Sequence, residues 1–299
     1  MMRMKNKQID NPGETYRAYL FMIPLLVVVF LFVLLPVAAT MLDSFFRDVT
    51  FLPKKFIGFK NYRYLLQDLH FWQSATFTLL FVIVSISIEL VLGMIFALIL
   101  NEKMKFRAAL SIILLIPWAI PVAVSARIWQ IMYSYDFGAI NFILLKTGII
   151  SEPVNWLGSP ASAFFALLLS DVWKTTPFMT IILLAGLASI PPVIYKQAMI
   201  DGARFDQKFF RITLPLLKPV LIVALLFRTI DAVRIFDLVY VLTGGGPGGS
   251  TASLSLYAYK NYVSGDFGYG SAVSMVIFCI AFGFSILYVK LGKFSEVAK

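Results

Sequence analysis

Arg228, Asp231, Arg234 and Asp237 follow one another at three-residue intervals in an otherwise apolar stretch. Helix neighbours at that spacing can touch, so opposite charges alternate as partners; steps of three also drift around the helix, so the set winds as a spiral. Asp171 and Lys174 share the spacing in another apolar run, Glu89 stands in a third, and Arg127 lies near the outer end of a fourth. With Pro219 at one membrane edge, a rise of about 1.5 Å per residue puts Arg228 roughly 14 Å deep, near the midplane. A charge there costs at least a few kcal/mol, so these groups must face a partner or a cavity. Two readings stay open. The charges pair between helices, for example Asp171 or Lys174 with Arg228 or Asp231. Alternatively, Asp171, Lys174, Arg228, Asp231, Arg234 and Asp237 line a polar pathway for a hydrogen-bonding solute, with Trp118, Trp173 and Tyr240 as surfaces for a sugar ring.

Other chemistry lacks its residues. Cys279 and His70 are the only cysteine and histidine of the chain, which argues against a Cys/His zinc site, a Cys–His nucleophile pair or an intrachain disulfide. Gly244, Gly249, Ser250 and Thr251 have the outline of a phosphate loop without its lysine, and neither H-E-x-x-H nor G-x-S-x-G occurs. The expectation is a chain with no catalytic residues, no metal and no cofactor of its own.

The elements that carry these residues are set by the bilayer. Of the 299 residues, 60% are hydrophobic and 14% charged, against about 25% charged in a soluble domain. Apolar runs of about 20 residues or more span a bilayer as helices, and they are read at 19–42, 76–100, 108–130, 162–189, 216–242 and 269–290. Strands of a membrane barrel would be nearer ten alternating residues. The fold class is therefore an all-α integral membrane protein with six transmembrane helices. The first run is too long for the core of a cleavable signal peptide and is read as a retained helix. Residues 1–18 form a polar N-terminal tail, 19–290 the membrane domain and 291–299 a C-terminal tail.

The net charge is +10. With the N-terminus inside, the inner segments hold Arg3, Lys5, Lys7, Arg17, Lys103, Lys105, Arg107, Lys196, Arg204, Lys208, Arg211, Lys218, Lys290, Lys293 and Lys299. The outer segments hold Arg47, Lys54, Lys55, Lys60, Arg63, Lys146 and Lys260. The excess inside predicts that both termini are cytoplasmic. The signal is mixed in the first outer loop, about 43–75, whose many aromatics suggest packing at the membrane interface. No basic patch beyond these loops points to nucleic acid. Interior prolines at Pro117, Pro121 and Pro177 free backbone carbonyls, which neighbours or a wet cavity must satisfy. No internal repeat of the kind common in secondary transporters is evident.

Between the fourth and fifth runs lies a polar loop, about 190–215, long for a simple connection. Pro191-Pro192 opens it and a helical pattern runs from Val193. Gly202 suits a sharp bend, a second helical stretch carries Phe205, Phe209 and Ile212, and Pro215 and Pro219 mark the next span. The stretch resembles the E-A-A-x3-G-x9-I-x-L-P loop of permease subunits of binding-protein-dependent ABC importers: Gly202, Ile212, Leu214 and Pro215 match in spacing, and Asp201-Gly202-Ala203 matches the family's D-G-A. The likeness runs nearly the whole chain and is nearest the carbohydrate branch, the maltose-type or glycerol-phosphate-type first permease. It is supported by Phe56-Ile57-Gly58-Phe59-Lys60-Asn61-Tyr62, Phe236-Asp237-Leu238 and Leu242-Thr243-Gly244-Gly245-Gly246-Pro247.

The resemblance implies a transmembrane subunit of an ATP-driven carbohydrate importer of a bacterial or archaeal cytoplasmic membrane, working by alternating access. Its partners would be a dimer of ATP-binding subunits that holds the ATP and Mg, a second related permease and an external solute-binding protein. It also implies that Lys196, Gln197, Ala198, Asp201, Gly202, Ala203, Arg204, Ile212, Leu214 and Pro215 form the unit that couples to the ATPase. Lys196 stands where the family has Glu and Gln197 where it has Ala. A Glu–Arg contact with the ATPase is thereby put in question, and docking itself is not. Alternatives are the same machine carrying a glycerol phosphate or other polar solute, and an ion-driven secondary transporter, for which the membrane carboxylates are the support.

Overall fold

The structure, a computed structural model, describes residues 12–102 and 104–292. The chain termini and Lys103, with the charges read on Arg3, Lys5, Lys7, Lys293 and Lys299, lie outside the described residues.

The chain begins with α1 (Pro12–Val29), which passes through a π turn, Phe30–Leu34, into α2 (Leu35–Asp43). A two-stranded ribbon, β1 (Phe46–Arg47) and β2 (Lys55–Phe56), leads to α3 (Lys60–Gln67) and the long α4 (Leu69–Asn101). Then come α5 (Arg107–Ala119), α6 (Val122–Met132), α7 (Ala139–Lys146) and α8 (Pro160–Ala188). Next are α9 (Pro192–Ile200), α10 (Phe205–Lys208), a second π turn, Phe209–Thr213, and α11 (Leu214–Val233). The short α12 (Asp237–Leu242) and α13 (Leu254–Val263) precede α14 (Phe267–Gly292).

Among the described residues, five stretches are long and apolar enough to cross a membrane: Tyr19–Asp43, Leu69–Asn101, Pro160–Ala188, Phe205–Val233 and Phe267–Gly292. The pair α5 and α6 makes a sixth if it is taken as one span bent by 94°. The third span expected over 108–130, with interior prolines, is a broken one, hinged at Ile120 and Pro121. The fifth is corrected at both ends. It starts at Phe205, because α10 runs through the π turn Phe209–Thr213 into α11, so the helix is already under way before Pro215. It ends at Val233, because the chain leaves the helix between Arg234 and Phe236 and restarts at Asp237. The first helix starts at Pro12, inside the stretch read as tail.

Helix ends follow local chemistry. Asp68 caps α4, accepting the His70 amide at 2.9 Å, and Ser159 caps α8 with Pro160 behind it. In lipid the backbone bonds are satisfied within each helix, so association depends on close packing. Small residues allow it. A β-carbon on Gly93 of α4 would lie 2.7 Å from the Met179 side chain of α8, and one on Gly186 would lie 2.7 Å from Leu217 of α11. Around these contacts Met94, Met179, Leu183 and Leu217 are buried, and towards the other membrane face Phe77, Phe81 and Leu167. In the first span, by contrast, no residue of the apolar window is buried within the chain.

Candidate functional site

Arg228 lies in the middle of the bundle with its side chain 2% exposed. Its Nε donates to Glu89 Oε2 at 2.5 Å and one terminal nitrogen donates to Glu89 Oε1 at 2.9 Å. The same nitrogen also bonds Asp171, and the other reaches Asp231 Oδ2 at 3.2 Å. Thr175 adds a bond to Glu89 Oε1 at 2.8 Å. One guanidinium thus ties α4, α8 and α11 together, and its fork suits the two oxygens of Glu89. Asp171–Arg228 and Arg228–Asp231 realise the ion-pair reading of the sequence. Glu89, the best-matched partner, was visible as a lone acid in an apolar run but was not among the expected site residues.

Lys174 is spent differently. Its Nζ donates to the backbone carbonyls of Pro117 at 3.3 Å and Trp118 at 3.4 Å, and to that of Ile120. These carbonyls stand at the break between α5 and α6. Pro121 has no N–H to give Pro117, and the other two belong to a helix end. A cation from α8 closes the gap that the prolines open.

Beside the cluster is a cleft of about 300 Å³, lined by Trp118, Thr175, Phe178, Arg228, Asp231 and Arg234, among others. A smaller recess of about 120 Å³ shares Thr175, Arg228, Asp231 and Arg234 with it and adds Asp171, Lys174 and Asp237. Asp231 is the open member of the cluster, its side chain 64% exposed. Trp118 stacks on Phe178 with centroids 6.2 Å apart. Trp173 and Tyr240 lie outside both linings: Trp173 packs edge-on to Trp129, and Tyr240 stacks on Phe236 and meets Tyr259. Arg127 bonds Gln130 at 2.6 Å, away from the cluster.

The loop between the fourth and fifth spans is one compact unit. Helix α9 ends with the Ala203 amide bonded to the Ala198 carbonyl at 2.9 Å and the Gly202 amide to Met199 at 3.1 Å. This paired closure places Gly202 at φ +72°, a conformation glycine adopts without cost. The Arg204 amide then bonds Gln207 Oε1 at 2.9 Å at the start of α10. Tyr195 on α9 reaches Thr213 Oγ1 at 3.0 Å, locking α9 against the rise into α11. Ala198 and Thr213 are buried and Ile212 and Leu214 partly so. Lys196, Gln197, Asp201, Arg204 and Pro215 are exposed, and beside them stand Ile200, 86% exposed, and Phe205, 73% exposed.

Comparison with known proteins fits this arrangement. The family described as binding-protein-dependent transport system inner membrane component matches residues 89–293. The chain belongs to that family. It is 55% identical over 282 residues to the trehalose/maltose transport system permease protein MalF of Thermococcus litoralis, covering 94% of this chain and 95% of that one. It is 38% identical over 300 residues to the sulfoquinovosyl glycerol transport system permease protein SmoG of Agrobacterium fabrum, covering 97% of each. These relatives bear out the resemblance to the carbohydrate branch of ABC importer permeases. A bacterial alginate ABC transporter, solved in complex with an alginate pentasaccharide-bound periplasmic protein, shares the fold. Its TM-score is 0.82 over 94% of this chain and 95% of that chain, at 22% identity. As a family member with several apolar spans, the chain is a multi-pass component of the inner membrane.

Proposed function

We propose that this permease forms one transmembrane half of an ATP-driven importer for a small carbohydrate, the solute arriving from an external binding protein. The observation that carries the reading is mechanical. The stretch Phe205–Val233 is one continuous helical span. The locked α9 unit holds one end, and Arg228 and Asp231 stand beside the cleft near the other. Roughly 35 Å of helix separates Phe205 from Arg228 at about 1.5 Å per residue. A push on the exposed face of α9 and α10 therefore reaches the cleft as a rigid-body movement, the kind of lever that alternating access needs.

The exposed Ile200 and Phe205, flanked by Lys196 and Arg204, are the face offered to a cytosolic ATPase dimer, which supplies ATP and Mg. With Lys196 in place of an acid, that ATPase is expected to offer an acceptor or leave the ammonium in water. The bare surface of the first span and the open side of the cleft fit a second, related permease. Both termini are cytoplasmic in this arrangement. Asp231, Arg234 and Asp237 offer hydrogen bonds to hydroxyl groups and Trp118 an apolar ring face. Trp173 and Tyr240 act as further solute surfaces only if the partner permease extends the cleft to them. The likeness to MalF makes trehalose and maltose the first solutes to try.

The test is to purify the assembly with its ATPase and binding protein, screen the binding protein with disaccharides by thermal shift, and measure uptake into liposomes. Uptake should require both ATP and the binding protein. Uptake by this chain alone, driven by a proton or sodium gradient, would instead establish the ion-driven reading.

A further inference from the structure

The ribbon after the first span carries charges that the protein itself leaves unanswered. Strands β1 and β2 are antiparallel, with Phe46 opposite Phe56 and Arg47 opposite Lys55. The two phenyl rings meet edge to face at 5.4 Å. The alternation of strand side chains puts Arg47 and Lys55 on the other face, where like charges directly opposite each other destabilise the pair. Nearby acids are already engaged. Lys54 lies 2.6 Å from Asp43 and 3.0 Å from Asp48, and Asp68 accepts from the hydroxyls of Tyr257 and Tyr269. Among the described residues no carboxylate comes within ion-pairing distance of Arg47 or Lys55.

The tip of the ribbon is held firmly while its largest side chain is left bare. The Thr50 amide and hydroxyl bond the Gly265 carbonyl at 3.0 and 3.2 Å, and the Phe267 amide bonds Asp48 at 2.9 Å. Gly265 is needed for this approach: it sits at φ +87°, and a β-carbon there would lie 2.2 Å from Thr50 Oγ1. Phe51 nevertheless projects with 94% of its surface exposed, next to Leu52 at 49%. These contacts fix the place of the tip. The ribbon starts three residues after α2 ends at Asp43, and its tip is bonded to Gly265 and Phe267, where α14 begins. Both points are ends of candidate membrane spans, which puts the ribbon beside one face of the apolar bundle.

We propose that this ribbon binds the headgroup of an anionic phospholipid, Arg47 and Lys55 sharing the phosphate while Phe51 and Leu52 enter the upper acyl region. A phosphate between the two cations removes the cross-strand repulsion, and aromatic rings are favoured at that depth. An acidic protein surface would satisfy the cations but would leave unexplained a bare phenyl ring held beside the apolar bundle. The site goes beyond solute transport and gives the first outer loop, with its cations on the side where the charge rule disfavours them, a ligand of its own.

The experiment uses the full assembly in lipid nanodiscs, with a fluorophore on position 51 (Phe51→Cys) in a Cys279→Ser background. Lipids carrying a nitroxide at the headgroup or upper chain should quench it. Native mass spectrometry should show phosphatidylglycerol retained by the wild type and its retention lowered roughly thirtyfold by Arg47→Gln with Lys55→Gln, as expected for losing two cations at a membrane surface. Phosphatidylcholine retention should be unchanged, and the swap Arg47→Lys with Lys55→Arg should keep phosphatidylglycerol bound. Absence of quenching, phosphatidylglycerol retention in the Gln variant equal to that of the wild type, or displacement of the lipid by inorganic phosphate would each overturn the proposal. So would a fluorophore shielded only after the external binding protein is added, which would make the ribbon a protein-docking surface.

Discussion

The ammonium of Lys174 lies 3.3 Å from the carbonyl oxygen of Pro117, the oxygen that Pro121 leaves without a helical donor. The lysine is on α8 and the prolines belong to the broken third span, so one side chain bridges to the carbonyls at a 94° bend in a neighbouring element. Lys174→Met should leave these carbonyls poorly paired in a medium with little water. The expected cost is about 1–3 kcal/mol. It should appear as a lower Tm of the assembly in nanodiscs, with or without solute. An unchanged Tm combined with a raised KM for uptake would show that Lys174 serves the solute and not the bend.

Arg228 is held by Glu89 and Asp171, and removing it leaves two buried carboxylates without a cation. Breaking a buried pair from one side costs about 3–5 kcal/mol, whereas replacing all members with neutral groups is often tolerated. Arg228→Met should therefore abolish assembly or lower its yield severely. The triple change Arg228→Met, Glu89→Gln, Asp171→Asn should recover much of it. Arg228→Lys should rescue poorly, since an ammonium cannot match the bidentate contact with Glu89. Size-exclusion profiles and Tm of the four proteins decide the matter; full yield from Arg228→Met alone would refute a structural role for the cluster.

What the sequence made legible was local. The bend at Gly202 depends on residues within a few positions of each other, and their spacing carried the helix–bend–helix form of the loop, though not the start of the next span, which lies at Phe205. Asp171 and Asp231 were named as partners of Arg228, but Glu89 was not, because it is 139 positions away and shares no helical spacing with the arginine. The break in the third span was half legible. Pro117 and Pro121 announced freed carbonyls, but not their donor, Lys174, which lies more than fifty positions further on. The limits of the fifth span failed for a related reason: apolar residues continue from α11 into α12, so hydropathy passes over the turn at Arg234–Phe236.

Gly202 offers a test of the coupling unit that leaves packing untouched. A β-carbon there would meet nothing within 4 Å, so Gly202→Ala changes only the cost of the positive φ, about 1–2 kcal/mol. The unit should loosen between α9 and α10. Solute-stimulated ATPase activity should fall several-fold while disaccharide binding to the external binding protein stays the same. Gly202→Asn should be milder, because asparagine accepts this conformation better than alanine. Unaltered stimulation in Gly202→Ala would show that the bend is not needed for coupling.

Asp68 connects the start of α4 to two tyrosines, Tyr257 on α13 and Tyr269 on α14. Partial burial opposes its ionisation, but hydrogen bonds from both hydroxyls and from the amides of His70 and Phe71 outweigh this and hold its pKa below the ordinary 3.8. The sign follows from linkage. A carboxyl depressed in the folded state contributes its full stability above 3.8 and loses it as pH falls from there through the lowered value. The end of the bundle where α4 starts should therefore keep its stability at neutral and mildly acid pH and weaken only below about pH 4. Asp68→Asn should remove this acid limb from a Tm-against-pH curve and lower Tm at pH 7, because hydrogen bonds to a charged acceptor are worth about 1.5–3 kcal/mol. If Asp68→Asn reproduces the wild-type curve at every pH, the two tyrosine contacts contribute nothing to the fold, and the junction of α4 with α13 and α14 rests on apolar packing that buries Phe71, Ala258 and Ala272.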